Sequence, residues 1–276
     1  MAFCAGKIIP NMITDTHLHL PIIKKDSFFE KAKKKLLSDM RKNGIDYGVL
    51  IPDNAVGSKI GDLDTCLNIT EKEKKLFLLG TIDIQKQGKE WINKLSLLFR
   101  GDRIKGIKIF PGHDPIYPTD KRLIPVLKLC LKYDYPIVIH TGWNSNNPEA
   151  ARYNNPKHIV KIAKKFPKLK IVIAHYFWPE VEYCYQVTEG LKNIFFDTSG
   201  LADKEVIKET GLKKIKSILR MTIKNKPESV VFGSDYPMGK FKSHIALINA
   251  LKINQKEKRN VFWKNAVRLF RLNLRK

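Results

Sequence analysis

Residues 135–142 read YPIVIHTG, a run of β-branched residues that stops at a histidine and a glycine. The pattern returns at 169–176 as LKIVIAHY, again closing on a histidine. Consecutive Ile and Val, rather than alternation with polar residues, mark a strand covered on both faces, as in a parallel sheet. A stretch of helical spacing, 156–166, separates the two runs. Parallel strands need such a crossover, so the three segments read as one βαβ unit.

Moving outward, the unit repeats. The opening stretch ITDTHLHLP (13–21) and the runs YGVLIP (47–52), KLFLLGTID (75–83), IKGIKIFP (104–111), NIFFDTSG (193–200) and SVVFGSDYP (229–237) read as further short strands. Helical patterns fill the gaps at 62–74, 88–100, 120–133, 179–192 and 203–225, and two more close the chain near 243–252 and 256–271. After the first strand, Ser27 and Glu30 fit a capping box, Phe28, Phe29, Ala32, Leu36, Leu37 and Met40 keep helical spacing, and Gly44 suits a helix stop. Eight strands alternating with helices predict an α/β chain folded as a single (β/α)8 TIM barrel over 12–276, with 1–11 as a short N-terminal extension. An open doubly wound sheet is the competing arrangement, but no Gly-x-Gly-x-x-Gly follows the first strand.

Composition narrows the function classes. The 276 residues are 43% hydrophobic, enough for a large core and against global disorder. Lys and Arg number 51 against 27 Asp and Glu, a net charge of +24. Such a field attracts polyanions, but here lysine is scattered through every predicted helix, as in EKAKKKLL (30–37) and GLKKIKSILR (211–220). That distribution reads as a compositional habit rather than a nucleic-acid surface. Cys4, Cys66, Cys130 and Cys184 form no Cys-x-x-Cys and read as reduced thiols of a cytoplasmic protein. No apolar run approaches the roughly 18 residues of a membrane span, and MAFCAGKIIPN lacks the apolar segment of a signal peptide.

The chemistry sits at the strand ends. In a (β/α)8 barrel the active site lies at the C-terminal ends of the strands. Here those ends, or the strands leading to them, carry His17 and His19, Lys108, His140, His175 and Asp235. His17 and His19, two residues apart in a strand, project to one face. Taken singly, each residue has an ordinary reading: a hydrogen-bonded histidine, a capping aspartate, a snorkelling lysine. Together they are ionisable groups gathered where burial is costly without a partner or a metal.

The motifs DTHLH (15–19), GIKIFP (106–111), IVIHTG (137–142), IVIAH (171–175), FDTSG (196–200), FGSDYP (232–237) and NAVRLFRL (265–272) span nearly the whole chain. In that order the sequence resembles the amidohydrolase superfamily, in particular its amidohydrolase-related (amidohydrolase 2) branch of metal-dependent TIM-barrel hydrolases and decarboxylases. The resemblance implies that His17, His19, His140 and Asp235 hold one divalent ion, usually zinc, and that His175 acts beside the substrate. Three imidazoles and a carboxylate suit Zn²⁺ with a position open for water. The implied reaction is hydrolysis of an amide, ester or lactone of a small substrate, anionic ones included, with Asp235 relaying the proton and His175 steadying charge on oxygen. Asp15, of the same parity as His17, is expected to orient the ligands, and Asp197 and Ser199 to support them. Lys108 is read as a cation gripping the substrate. A carboxylated Lys108 bridging two metals is the alternative that binuclear relatives imply.

Further contacts are read from the loops: Trp143, Asn144 and Arg152 in TGWNSNNPEAARYNNP (141–156), with Arg152 an anion clamp, and His113 and Tyr117 in PGHDPIYP (111–118). His158 and His244 fall in predicted helices and read as structural. The resemblance also allows a non-oxidative decarboxylase. A TatD-type nuclease shares the opening His-x-His but places a glutamate where this chain has Lys108. A small molecule is the expected partner, with a homodimer an allowed assembly.

Overall fold

The structure, a computed structural model, describes residues 12–23, 29–143 and 147–274. The extension 1–11, the capping Ser27 and Asn144 lie outside the described residues. The strands are β1 (Thr14–Leu18), β2 (Tyr47–Leu50), β3 (Leu76–Leu78), β4 (Gly80–Thr81), β5 (Ile107–Ile109), β6 (Ile137–Ile139), β7 (Ile171–Ile173), β8 (Ile194–Asp197) and β9 (Val230–Val231). Every neighbouring pair is parallel.

The run 75–83 appears as two pieces, β3 and β4, flanking Leu79. The piece before Leu79 pairs with β2 and the piece after it with β5. Leu79 itself donates to Leu50 O at 3.0 Å, while Lys105 N reaches Leu78 O at 2.7 Å, so the ladder runs through the break. The other edge closes on itself. Thr16 N donates to Phe232 O at 2.8 Å, Asp235 N to His17 O at 3.0 Å and His19 N to Tyr236 O at 2.7 Å. The nine pieces thus act as the eight strands of a TIM barrel, with the last bonded to the first.

Strand parity sorts the side chains. Leu18, Leu50, Ile107, Ile109, Ile137, Ile139, Ile171, Ile173 and Phe232 pack outward against the helices. The alternate residues Val49, Ile51, Val138, Val172 and Val231 form an interior cluster with Ala266, Leu269 and Phe270 of the last helix. Interior parity, followed along each strand and past its end, brings Asp15, His17, Lys108, His140, Asp197 and Asp235 to the inside. At Gly233 the packing is close enough that a side chain there would meet His17 Cβ at 3.0 Å.

Two helices differ from expectation. The stretch 203–225 is divided into Lys204–Thr210 and Leu212–Asn225 by Gly211, whose φ of +88° interrupts the helix. The closing helix begins at a capping box of Asn254 and Glu257 and contains a π-turn over Asn260–Lys264. Among the described residues no helix is long and apolar enough to cross a membrane.

Candidate metal centre and active site

β1 delivers His17 and His19 side by side, and the loop after β9 delivers Asp235 against both. Asp235 Oδ1 lies 3.4 Å from His17 Nε2 and 3.7 Å from His19 Nε2. Their far nitrogens are already assigned. His17 Nδ1 donates to Asp197 Oδ2 at 2.8 Å. His19 Nδ1 donates to Ile51 O at 2.9 Å, because a carbonyl can only accept. Each neutral ring therefore turns an unprotonated Nε2 towards a carboxylate oxygen, that of His17 with Lys108 Nζ 3.4 Å away. Two imidazole nitrogens and a carboxylate gathered at one point are donors a divalent ion takes, so this set fits a metal ion.

Burial keeps the rings in the form that can ligate. It is the leading cause that lowers His17 to about 4, with the Lys108 charge adding to it. His19, His140 and His175 are pushed well below the usual imidazole value, again by burial first. Asp15 is fully buried beneath them. Its Oδ1 accepts from His17 N at 3.0 Å and Ser234 N at 3.1 Å, tying β1 to the strand that carries Asp235.

The strained backbone lies here as well. His175 and Asp235 have φ of 62° and 63°, a left-handed region that residues with a Cβ seldom adopt. Regular alternation after Val172 would turn His175 outward. The left-handed turn redirects it into the mouth, where its ring centroid is 4.7 Å from that of His17 and 4.9 Å from that of His140. Thr141 braces this turn: its hydroxyl donates to Ala174 O at 2.5 Å and accepts from Phe177 N at 2.9 Å.

The remaining expected residues divide. Among the described residues, two groups of three have ligand atoms mutually within 4.8 Å: His17, His19 and Asp235, and His17, His175 and Asp197. His140 belongs to neither and stands one ring further out, packed at 4.4 Å against His113. Trp143 lines a cavity of about 230 Å³ together with His140, His175 and Asp235. Lys108 does not line it. It is wholly buried below the histidines, with Nζ 3.4 Å from His17 Nε2. Arg152 does not line it either. Asn154, two residues on, is buried and donates to Pro111 O and Gly142 O, each at 3.2 Å. A two-residue offset on a helix is about 200°, so Arg152 faces solvent, beside Tyr153 and Glu149. Tyr117 is also exposed, against Tyr153 and His158. His244 is structural, bonded to Lys240 O and Ala202 N.

Sequence reading missed Trp178, Asp203 and Glu205, which line the same cavity. Trp178 comes three residues after the strand-end His175, and its ring meets Trp143 edge to face at 6.3 Å. That closeness in sequence was the available signal. Asp203 and Glu205 sit around the start of a helix and carried none.

The family profile described as Amidohydrolase matches residues 96–272. The chain belongs to the amidohydrolase family. It is accordingly an enzyme of that family. No curated protein sequence matches it. An uncharacterised TIM-barrel protein of Bordetella bronchiseptica superposes with a TM-score of 0.74 at 20% identity, covering 95% of this chain and 99% of the other. The 4-oxalomesaconate hydratase of Rhodopseudomonas palustris gives a TM-score of 0.66 at 18% identity over 94% and 96%. The 5-carboxyvanillate decarboxylase of Novosphingobium aromaticivorans, solved with manganese and 4-hydroxy-3-methoxy-5-nitrobenzoic acid, gives 0.61 at 19% over 86% and 80%. At these identities the likeness is one of fold.

Proposed function

We propose that this amidohydrolase hydrolyses an amide, ester or lactone bond of a small substrate, using one divalent metal, zinc, held by His17, His19 and Asp235 and reached by His140. The observation that carries the reading is the pair of bare imidazole nitrogens converging on one carboxylate oxygen. When bound there, a divalent ion supplies Lewis acidity towards a carbonyl and towards water. The chain's own residues do the rest. Asp197 and Ile51 O hold the two rings so that Nε2 points inward. Asp235, on its left-handed turn at the cavity edge, is placed to take a proton from water and return it to the leaving group. Trp143 and Trp178 wall the cavity and narrow the approach of bulk water.

Decarboxylation is the second reading, favoured by fold neighbours that act on aromatic carboxylates, one of them solved with manganese. The cavity argues against it. Among the described residues lining it there is no Lys or Arg to receive a substrate carboxylate, whereas Asp203 and Glu205 are present. A neutral or positively charged substrate suits that wall better than an anion. The same reading keeps the protein cytoplasmic, acting on a small molecule and not on nucleic acid.

The test is metal analysis followed by a screen of esters, lactones and anilides beside hydroxybenzoates. Chelator-sensitive hydrolysis without carbon dioxide release is expected. Carbon dioxide release with no hydrolysis would replace this reading with the second.

A further inference from the structure

Ser199 follows β8 and is wholly buried between Asp197 and His175. Its hydroxyl donates to Asp197 Oδ1 through a short hydrogen bond. The same oxygen stands 2.9 Å from His175 Nδ1. A hydroxyl has one hydrogen, and the direction of the pair follows from where that hydrogen goes.

Asp197 decides it. Its Oδ1 also accepts from His175 N at 3.0 Å and Ser199 N at 3.1 Å, and its Oδ2 from His17 Nδ1. An oxygen that already gathers two backbone N–H groups serves as an acceptor, and it takes the serine hydrogen as well. Ser199 Oγ is then left as an acceptor towards His175. The second neighbour of His175 Nδ1, Ser199 O at 3.4 Å, is a carbonyl and can only accept. Both neighbours therefore require a proton on Nδ1.

We infer that Ser199 is a positioning residue: with Asp197 it fixes the proton of His175 on Nδ1 and leaves Nε2 bare towards the cavity, so that His175 enters the reaction as a proton acceptor. This revises the expectation that His175 first steadies charge on oxygen, which needs an N–H on the cavity side. Nε2–H forms only once the ring has taken a proton; with Asp235 carrying the water proton to the leaving group, the one left for His175 is that of the acid product. One carboxylate would thus orient two histidines, His17 directly and His175 through a hydroxyl. The catalytic role rests on the hydrolytic reading above; the position of the proton does not.

The experiment is a two-bond ¹H–¹⁵N spectrum of histidine-labelled, zinc-loaded protein, with His175 assigned by comparison with His175→Gln. The expected spectrum has His175 protonated at Nδ1 and bare at Nε2. In Ser199→Ala the ring becomes a mixture of tautomers. Its kcat on 4-nitrophenyl acetate falls about 10- to 100-fold, the usual cost of losing a group that orients a site residue, with KM little changed. Ser199→Thr, which keeps the hydroxyl, restores both. A proton on Nε2 in the unaltered protein, or an alanine variant whose His175 keeps the original tautomer, would overturn the inference. The unaltered protein's spectrum decides the matter even if a variant does not fold. If 4-nitrophenyl acetate and every other ester resist hydrolysis, the hydrolytic reading fails while the spectrum still locates the proton.

Discussion

The two ends of the barrel treat buried polar groups in opposite ways. At the N-terminal end lies the larger cavity, about 610 Å³, lined in part by Lys226, Arg268 and Phe195. Several of its polar groups are committed to backbone carbonyls. Lys226 Nζ donates to the carbonyls of Leu191, Lys192 and Ile194, at 3.3, 2.5 and 2.8 Å. Nearby, Asn193 Nδ2 reaches the carbonyls of Ala163, Phe166 and Leu169, each at 3.1 Å, and Asn265 Nδ2 those of Pro227 and Val230. At the C-terminal end the cavity is only about 230 Å³, yet beside it His17 Nε2, His19 Nε2 and Asp235 Oδ1 converge on one another rather than on the backbone. Cavity size does not mark the reactive end. The marker is whether the polar groups are already satisfied by the fold.

Substitutions at the two ends should therefore separate cleanly. The largest effect is expected for His17→Ala and Asp235→Ala, which remove converging atoms. Metal content by elemental analysis should collapse, and hydrolysis should drop by more than ~10²-fold, beyond the usual cost of losing only a supporting partner. Retained metal in both variants would move the centre elsewhere. Next, Asp197→Asn keeps shape but weakens the acceptor that orients His17. Chelator competition should show metal affinity lower by about 10- to 100-fold, with the fold intact by circular dichroism.

The opposite end should answer in stability alone. Lys226→Met leaves three carbonyls without their donor and should cost about 1–3 kcal/mol in denaturant unfolding, with turnover unchanged. It also carries a pH signature. Burial lowers Lys226 from 10.5 to about 8 in the folded protein. Between those values the unfolded chain binds the extra proton, so folding stability contributed by this group rises as pH climbs from about 8 towards 10.5. That increment should be missing from the Met variant. The smallest effect is expected for Arg152→Ala. Arg152 is solvent-facing, with its nearest carboxylate, on Glu149, 3.7 Å away, and the substitution should leave KM, kcat and Tm unchanged. A rise in KM would restore Arg152 as a substrate clamp.

Much of the mouth was legible because it obeys periodicity. His17 and His19 share a face by the two-residue repeat of a strand, and the apolar runs before His140 and Asp235 announced where those residues would emerge. What escaped is what departs from periodicity. The inward reach of His175 depends on a left-handed turn that a run of Ile, Val and Ala does not foretell. The break at Gly211 lies inside a continuous helical pattern, where one glycine is often tolerated. Lys108 obeys the interior parity but lies below the cavity rather than in its wall, a depth that depends on how the strands stagger around the barrel. Arg152 turns away because Asn154 is the residue anchored inward, a tertiary contact with Pro111 and Gly142 carbonyls that no local pattern encodes.

The most direct measurement is a crystal structure of the purified protein with data recorded on both sides of the zinc absorption edge. The expected result is one anomalous peak per chain, bounded by His17 Nε2, His19 Nε2 and Asp235 Oδ1. A protein that carries no divalent metal after purification and reconstitution, or a peak removed from those three atoms, would contradict the account.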